Sequence, residues 1–378
     1  MVFMKYSKAL LSVILLSLAA GVFFLLAAAP QGQSQSSETV AKPKKKDAPP
    51  EATDQPKIPT QYKKDKAVPE GLPTFHSDVN TVQLDVAVLD NKGHFIPGIP
   101  RGNFRVLEDN VPQQITGFNT NADAPMTIAL VIEFNARIQQ YWGQGWYETL
   151  SATYGFVETL KPEDYVAVVA YDMRPEILCD FTTDRMKLQE GLQRLRIPGF
   201  SESNMFDALV DTSSRMSNIE GRKAILLIAT GLDTFSKLTF DKARKQIQEN
   251  AVPIYALSIL QAYRIVADAY MGNSQRMDFL QADNELNTFA RETGGQAFFP
   301  RFLGEYPGIF RAVADALRNQ YSIAYHPANQ AKDGKFRKIK VELVNPENGE
   351  QLRITANNKP IKYSVIAKAG YTAPREVE

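Results

Sequence analysis

From Pro125 onward, roughly two hundred residues alternate between short, continuously apolar runs and longer stretches with helical spacing, and this alternation constrains the fold more than any other feature. Residues 126–132 (Met-Thr-Ile-Ala-Leu-Val-Ile), 165–171 and 223–230 carry apolar side chains on both faces of an extended chain. A strand of that kind has to be covered on both sides, which is the signature of a parallel sheet sandwiched by helices. Between the runs, Tyr147, Leu150, Tyr154 and Val157 recur at three- and four-residue steps and predict a helix over 146–160. Further helices are expected over 184–196, 205–218, 240–250, 278–292 and 306–320, with Gly294-Gly295 ending the one over 278–292. Strands are expected over 252–260 and 296–299, and a short edge strand over 176–181. The expected fold is α/β, a doubly wound, mostly parallel sheet.

The flanks are written differently. Residues 82–89 (Val-Gln-Leu-Asp-Val-Ala-Val-Leu) alternate with a period of two, and Asp90-Asn91-Lys92-Gly93 supplies a turn before His94-Phe95-Ile96. Strand patterns recur at 104–107 and 114–118, then at 321–325, at 336–344 joined to the preceding strand across Asp333-Gly334, and at 351–355 and 361–366. Neither flank has enough strands to bury two faces, so 76–120 and 321–374 are expected to pair into one small β-sandwich, with the α/β domain, 121–320, inserted between them.

The amino terminus is a separate matter. Lys5 and Lys8 precede an apolar run from Ala9 to Ala29, which predicts a signal peptide or an amino-terminal transmembrane anchor over 1–29. Ala27-Ala28-Ala29 offers a cleavage site, while Lys5 and Lys8 favour retention with the amino terminus inside. Residues 30–75 are rich in Gln, Ser, Pro and Lys, and such a segment reads as a disordered linker that cannot repay its ordering entropy. The expected location is extracytoplasmic: held in the inner membrane by this helix, or secreted or periplasmic after cleavage.

Composition removes several function classes. Lys+Arg number 43 against 42 Asp+Glu, so no general field favours nucleic acid. One cysteine, Cys179, excludes an intramolecular disulfide and a thiolate zinc site. Cys179 itself reads as a small packed side chain, since no activating motif surrounds it. With only His76, His94 and His326 present, the usual imidazole constellations lack raw material. No phosphate-binding glycine run follows any predicted strand. Neither a catalytic nor a cofactor-binding residue is therefore assigned, and the chain reads as a non-enzyme.

The order and spacing of several segments resemble the von Willebrand factor A related proteins of acidobacteria and similar soil bacteria. The resemblance covers roughly residues 78–374. It is carried by Val88-Leu89-Asp90-Asn91-Lys92-Gly93, Asn103-Phe104-Arg105-Val106-Leu107-Glu108-Asp109 and Gln114-Ile115-Thr116-Gly117-Phe118. The trailing matches are Leu317-Arg318-Asn319-Gln320-Tyr321, Lys335-Phe336-Arg337-Lys338-Ile339-Lys340-Val341 and Ala369-Gly370-Tyr371-Thr372-Ala373-Pro374. It implies an A-type domain with β flanks, export, and adhesion or scaffolding, with no defined ligand.

The resemblance also implies a metal-ion-dependent adhesion site, built from an Asp-x-Ser-x-Ser run after the first strand, a Thr in a later loop and an Asp after a central strand. Here the first run reads Glu133-Phe134-Asn135-Ala136-Arg137, the Thr position aligns with Asn204, and Thr230 stands where the family has the second Asp. Two carboxylates have become one, and a guanidinium has arrived. Such a pocket is expected to repel a divalent ion, with Arg137 pairing instead with Glu133 or Asp233. Asp207, on the next helix, is expected to brace the loop. The alternative is a metal-dependent adhesin holding Mg²⁺ or Ca²⁺ through Glu133, Asn135, Asn204 and a substitute Asp233. A third reading, from another class, is an exported hydrolase with two acidic side chains converging in a cleft. Tyr141, Trp142, Trp146 and Tyr147, just beyond the degenerate loop, are candidates for contact with a protein partner at the loop face of the sheet, or for helix packing under that loop. The membrane is the other expected partner, if the amino-terminal helix is uncleaved.

Overall fold

The computed structural model describes residues 81–375 except 92, 121–123, 197–198 and 357–358, and omits the side chains of 137–145, 356 and 359. The expected signal or anchor over 1–29 and the linker over 30–75 lie outside the described residues. Among those described, no helix is long and apolar enough to cross a membrane.

The first strands are β1 (Val82–Asp90), β2 (Phe104–Glu108), β3 (Val111–Gln113) and β4 (Ile115–Asn119). The α/β part follows as β5 (Met126–Glu133), α1 (Ala136–Thr159), β6 (Tyr165–Tyr171), β7 (Pro175–Thr182), α2 (Arg185–Gln193), α3 (Met205–Ser217) and β8 (Arg222–Ala229). It continues through α4 (Phe240–Asn250), β9 (Ile254–Ser258), α5 (Gln261–Ala267), α6 (Asn273–Thr293), β10 (Ala297–Phe298) and α7 (Tyr306–Arg318). The closing strands are β11 (Tyr321–Tyr325), β12 (Phe336–Leu343), β13 (Ile354–Ala356), β14 (Lys359–Ile361), β15 (Tyr363–Ile366) and β16 (Gly370–Thr372).

The central sheet has the order β10-β9-β8-β5-β6-β7. Its strands are parallel except β7, which runs antiparallel to β6 at the edge. β5 is apolar on both faces from Ile128 to Ile132 because it is central and both its faces are covered. Met126, Ile128, Leu130 and Ile132 pack with side chains of α1, α2 and α7, while Ala129 and Val131 pack with α3, α4 and α6. The sheet is thus doubly wound. Gly294 ends α6 in the left-handed region at φ 88, where a Cβ would meet the Lys368 backbone nitrogen at 2.7 Å.

Two four-stranded sheets, β15-β1-β11-β4 and β16-β12-β2-β3, each take strands from both ends of the chain. Alternating inward residues, among them Val82, Leu84, Val86, Phe104, Val106, Ile323, Ile339 and Val341, form one shared core. Tyr321 organises its centre. Its ring lies 4.9 Å from that of Phe104, and its hydroxyl donates to Ile96 O at 2.8 Å. The sandwich is tied to the α/β part by Ala369 N, which donates to Glu292 O at 3.0 Å; Arg222 of β8 donates to the carbonyls of Leu317, Arg318 and Gln320 and so fastens the end of α7, just before β11.

Three local expectations are corrected. The helix expected from 146 starts at Ala136, so Gly143 and Gly145 lie inside α1, not in a preceding loop. The strands at 321–325 and 336–344 do not form a hairpin across Asp333-Gly334: β11 pairs with β1 and β4, and β12 pairs with β2 and β16 in the facing sheet. α5, with the short 3-10 turn Asp268–Tyr270 after it, was not anticipated, and α6 begins at Asn273, five residues ahead of the expected 278.

Candidate functional site

The chain runs from β5 outward through β6 to β7, then crosses to β8 on the other side of β5. In an open α/β sheet, that reversal leaves a crevice beyond the carboxyl ends of the two central strands, where ligands bind. Glu133 ends β5 and Thr230 directly follows β8, so both stand at this switch point.

The Glu133 side chain is 1% exposed and spans the gap between the two strands. Its carboxylate accepts from Thr230 N at 2.6 Å, from Thr230 Oγ1 at 2.8 Å and from Asn135 Nδ2 at 2.8 Å. Thr230 Oγ1 in turn accepts from Leu232 N at 3.1 Å. Burial pushes the Glu133 carboxyl above its ordinary range, against the Thr230 amide and hydroxyl, which pull it down. A glutamate reaches Thr230 here, and a hydroxyl at that position donates where a second carboxylate would repel. Glu133 and Thr230 thus complement one another.

Asp233 is occupied in another way. Its Oδ1 accepts from Met205 N at 2.8 Å, Phe206 N at 3.3 Å and Ser236 Oγ at 2.6 Å, and its Oδ2 accepts from Ser236 N at 3.3 Å. It therefore caps α3 from a neighbouring loop, a favourable place for a carboxylate against the helix dipole. Asn204, directly before α3, makes no cap bond of its own. Its amide donates to Met173 O at 3.1 Å, and its Oδ1 lies 3.2 Å from Ser236 Oγ. Asp207 accepts from Lys237 N and Leu238 N, both at 3.0 Å, and so braces the loop after β8. Ser203 O receives Thr234 N and Phe235 N, each at 2.9 Å, which closes the bracing between the two loops.

Gly231 is required in this loop. Its φ is +84, and a Cβ would lie 2.9 Å from Leu286 Cδ1 and 3.0 Å from Ala282 O on α6.

A divalent cation needs six or more oxygen donors with free lone pairs. The carboxylates of Glu133 and Asp233 already receive internal N–H and O–H groups, and Thr230 and Ser236 point protons at them. Among the described residues, no group of three or more His, Cys, Asp and Glu is placed to hold a metal ion. The donor set does not fit Mg²⁺ or Ca²⁺. The expected pairing of Arg137 with Glu133 or Asp233 involves a side chain outside the described residues; the partners described for both acids are neutral donors.

Of the aromatic candidates, the side chains of Tyr141 and Trp142 also lie outside the described residues. Trp146 is 3% exposed and packs on Phe134 with ring centroids 5.0 Å apart, which removes it from the candidate contact surface. It faces the sheet because helical spacing places it with Leu150 and Val157 on the buried side of α1. Tyr147, one position on, is 74% exposed. Cys179 is half-buried in β7 against the core that α1, α2 and α7 cover, and burial raises the pKa of its thiol.

Beside the braced loops lies a cavity of about 500 Å³, walled on its far side by the start of α5 and by α6. Glu133, Asp233, Asp278 and Glu285 line it together with Ser203, Phe206, Leu260, Tyr263 and Phe279. Sequence reasoning did not find Asp278 or Glu285. The signal was present, since Asp278, Ala282 and Glu285 recur at helical spacing on one face of α6. The cavity does gather acidic side chains, as a hydrolase would require. Glu133 and Asp233 are engaged by internal donors, and Asp278 and Glu285 stand two turns apart on one helix, about 10 Å along its axis.

No known family profile matches this chain, and no curated protein matches it. Among solved structures it is similar to proximal thread matrix protein 1 from the mussel byssus, at 12% identity and a TM-score of 0.41, over 56% of this chain and 51% of that one. It thus spans about half the length of that chain. It is also similar to the vWF domain of the type V pili tip protein Mfa5 from Porphyromonas gingivalis, at 13% identity and a TM-score of 0.39, over 51% of this chain and 95% of that one. A von Willebrand factor type A protein from Catenulispora acidiphila gives 12% identity and a TM-score of 0.41, over 79% of this chain and 76% of that one. The open α/β fold is read from the sheet order and helix placement, independently of these likenesses.

Proposed function

We propose that this chain is a non-enzymatic binding module of von Willebrand factor A type, displayed outside the cytoplasm, which engages a protein partner through the loop face of its central sheet without an obligatory metal ion. One observation carries the reading: the Glu133 carboxylate, at the switch point, is held by Thr230 and Asn135 as an internal tie. The frame that presents the loops is retained, while the groups that would hold a cation are spent on bracing it. The apolar run 9–29, with Lys5 and Lys8 before it, supports export and tethering.

The test is crosslinking and pull-down from native envelope with the full-length protein, with and without EDTA. The expected result is a partner captured equally in both, and lost when the exposed ring at the loop face is replaced by a charge, as in Phe235→Glu. Capture that EDTA abolishes would contradict the metal-free reading, and capture indifferent to Phe235→Glu would contradict the loop face.

A further inference from the structure

The elbow made by α5, the 3-10 turn Asp268–Tyr270 and the start of α6 carries an apolar tip. Five of the thirteen large apolar side chains that stand exposed among the described residues fall within 265–280: Ile265, Val266, Tyr270, Met277 and Leu280. Met277 and Leu280 are three residues apart and share one face of α6. Val266 at 79% and Tyr270 at 92% exposure stand clear of the surface around them. The elbow is nevertheless braced. Leu260, Met271 and Phe279 form a core cluster of their own beneath it, with Tyr263 and Ala267 packed against them. Arg264 of α5 pairs with Asp283 of α6, and its guanidinium lies 5.8 Å from the centroid of the Phe279 ring. A contiguous apolar tip held out on a braced element marks a contact surface.

Charge and shape say what it meets. Both arginines of the elbow are paired with aspartates of the same segment, Arg264 with Asp283 and Arg276 with Asp268, and Asp278 lines the cavity. Among the described residues of the elbow, no cation is left over to draw an acidic partner. A protruding apolar tip fits a protein only where that protein offers a matching cleft. A bilayer interface yields around such a tip, taking aliphatic side chains below the headgroups and a tyrosine at their level. A bilayer is also within reach: residues 30–80 join the apolar run 9–29 to β1, and about fifty residues extend to about 170 Å, well beyond the width of a fold of this size, on the order of 50 Å. We propose that the α5–α6 elbow docks on the lipid surface of the membrane that carries the chain, with Val266, Tyr270 and Met277 entering the headgroup boundary. This rests on the export-and-tether part of the proposed function. α5 leaves the carboxyl end of β9, so the docked elbow brings the loop end of the central sheet to the bilayer, and a partner engaged there is met at the membrane surface.

The test is hydroxyl-radical footprinting, read by mass spectrometry, of the full-length protein held at one copy per phosphatidylcholine nanodisc. Met186 on α2 is 65% exposed and Met277 is 64% exposed, so the two differ in place and not in chemistry or access. Met277 is expected to oxidise several-fold more slowly than Met186, and Tyr270 more slowly than Tyr147, which is 74% exposed. The protection should persist when part of the lipid is phosphatidylglycerol, because the contact is apolar. Val266→Asp should weaken the contact by at least about tenfold and bring Met277 back toward the Met186 rate. The urea midpoint should stay in place, since the side chain is exposed. Equal rates for Met277 and Met186 in discs that hold the protein, or protection indifferent to Val266→Asp, overturn the elbow contact and leave the tether standing. A chain that does not co-elute with the discs overturns the tether and the elbow contact together. Protection that appears only when envelope protein is added assigns the tip to a protein partner and overturns the lipid contact.

Discussion

Removing the Glu133 carboxylate should cost more than removing its charge. In Glu133→Ala, the Thr230 amide, the Thr230 hydroxyl and Asn135 Nδ2 each lose an acceptor that now sits at 2.6 to 2.8 Å. Asn135 is 2% and Thr230 is 7% exposed, so water does not replace it freely. Each buried orphaned donor costs about 1–3 kcal/mol. Relief of the desolvation that raises the Glu133 pKa returns part of that sum, and a net loss of about 3–5 kcal/mol is expected. Glu133→Gln keeps one carbonyl oxygen for Thr230 and presents an amide to Asn135, which can turn its own oxygen toward it, so its cost should be about 1 kcal/mol. The assay is urea denaturation followed by tryptophan fluorescence, which Trp146 reports from beside Phe134. An unchanged slope with a shifted midpoint would assign the loss to the folded state. A Glu133→Ala protein within about 1 kcal/mol of the parent, or equal losses for Ala and Gln, would refute the tie.

Other outcomes follow from the same geometry. Because burial raises the Glu133 pKa above its ordinary 4.5, the group's contribution to stability is full below that value and is lost as pH rises through the folded-state pKa; the cost of Glu133→Gln should therefore shrink between pH 4 and pH 7, measured by urea midpoints at each pH. Gly231→Ala should destabilise by about 2–4 kcal/mol, from a left-handed backbone and overpacking against α6 combined, and thermal unfolding would show it. Trp146→Ala should cost about 3–5 kcal/mol as a core truncation, while Tyr147→Ala stays within about 0.5 kcal/mol; reversal of that order in denaturation would return Trp146 to the surface.

The central sheet was legible because its strands had to be. A run such as 128–132 has no polar face, and a sheet covered on both sides accommodates it. The start of α1 was not legible, since Gly143 and Gly145 carry low helix propensity and the aromatics on either side of them, Tyr141, Trp142, Trp146 and Tyr147, give no helical period. Packing on the sheet overrides that preference: Trp146 and Leu150 gain more from burial against the first core layer than two glycines lose. The pairing of β11 and β12 with strands near the amino terminus depends on contacts more than two hundred residues apart, which no turn signal records. At the site, the positions of Glu133, Asn135, Thr230 and Asp233 were found, but each was weighed against an absent cation. What the sequence concealed was that Glu133 and Thr230 answer each other, and that Asp233 serves the amides of α3.

The most direct measurement is calorimetric titration of the full-length protein with Mg²⁺, Mn²⁺ and Ca²⁺, run beside Glu133→Gln. Carboxylates already filled by amide and hydroxyl protons should give no saturable heat with any of the three ions up to roughly 1 mM, the weak end of extracellular calcium sites. Saturable binding at micromolar concentration, abolished by Glu133→Gln, would contradict the account.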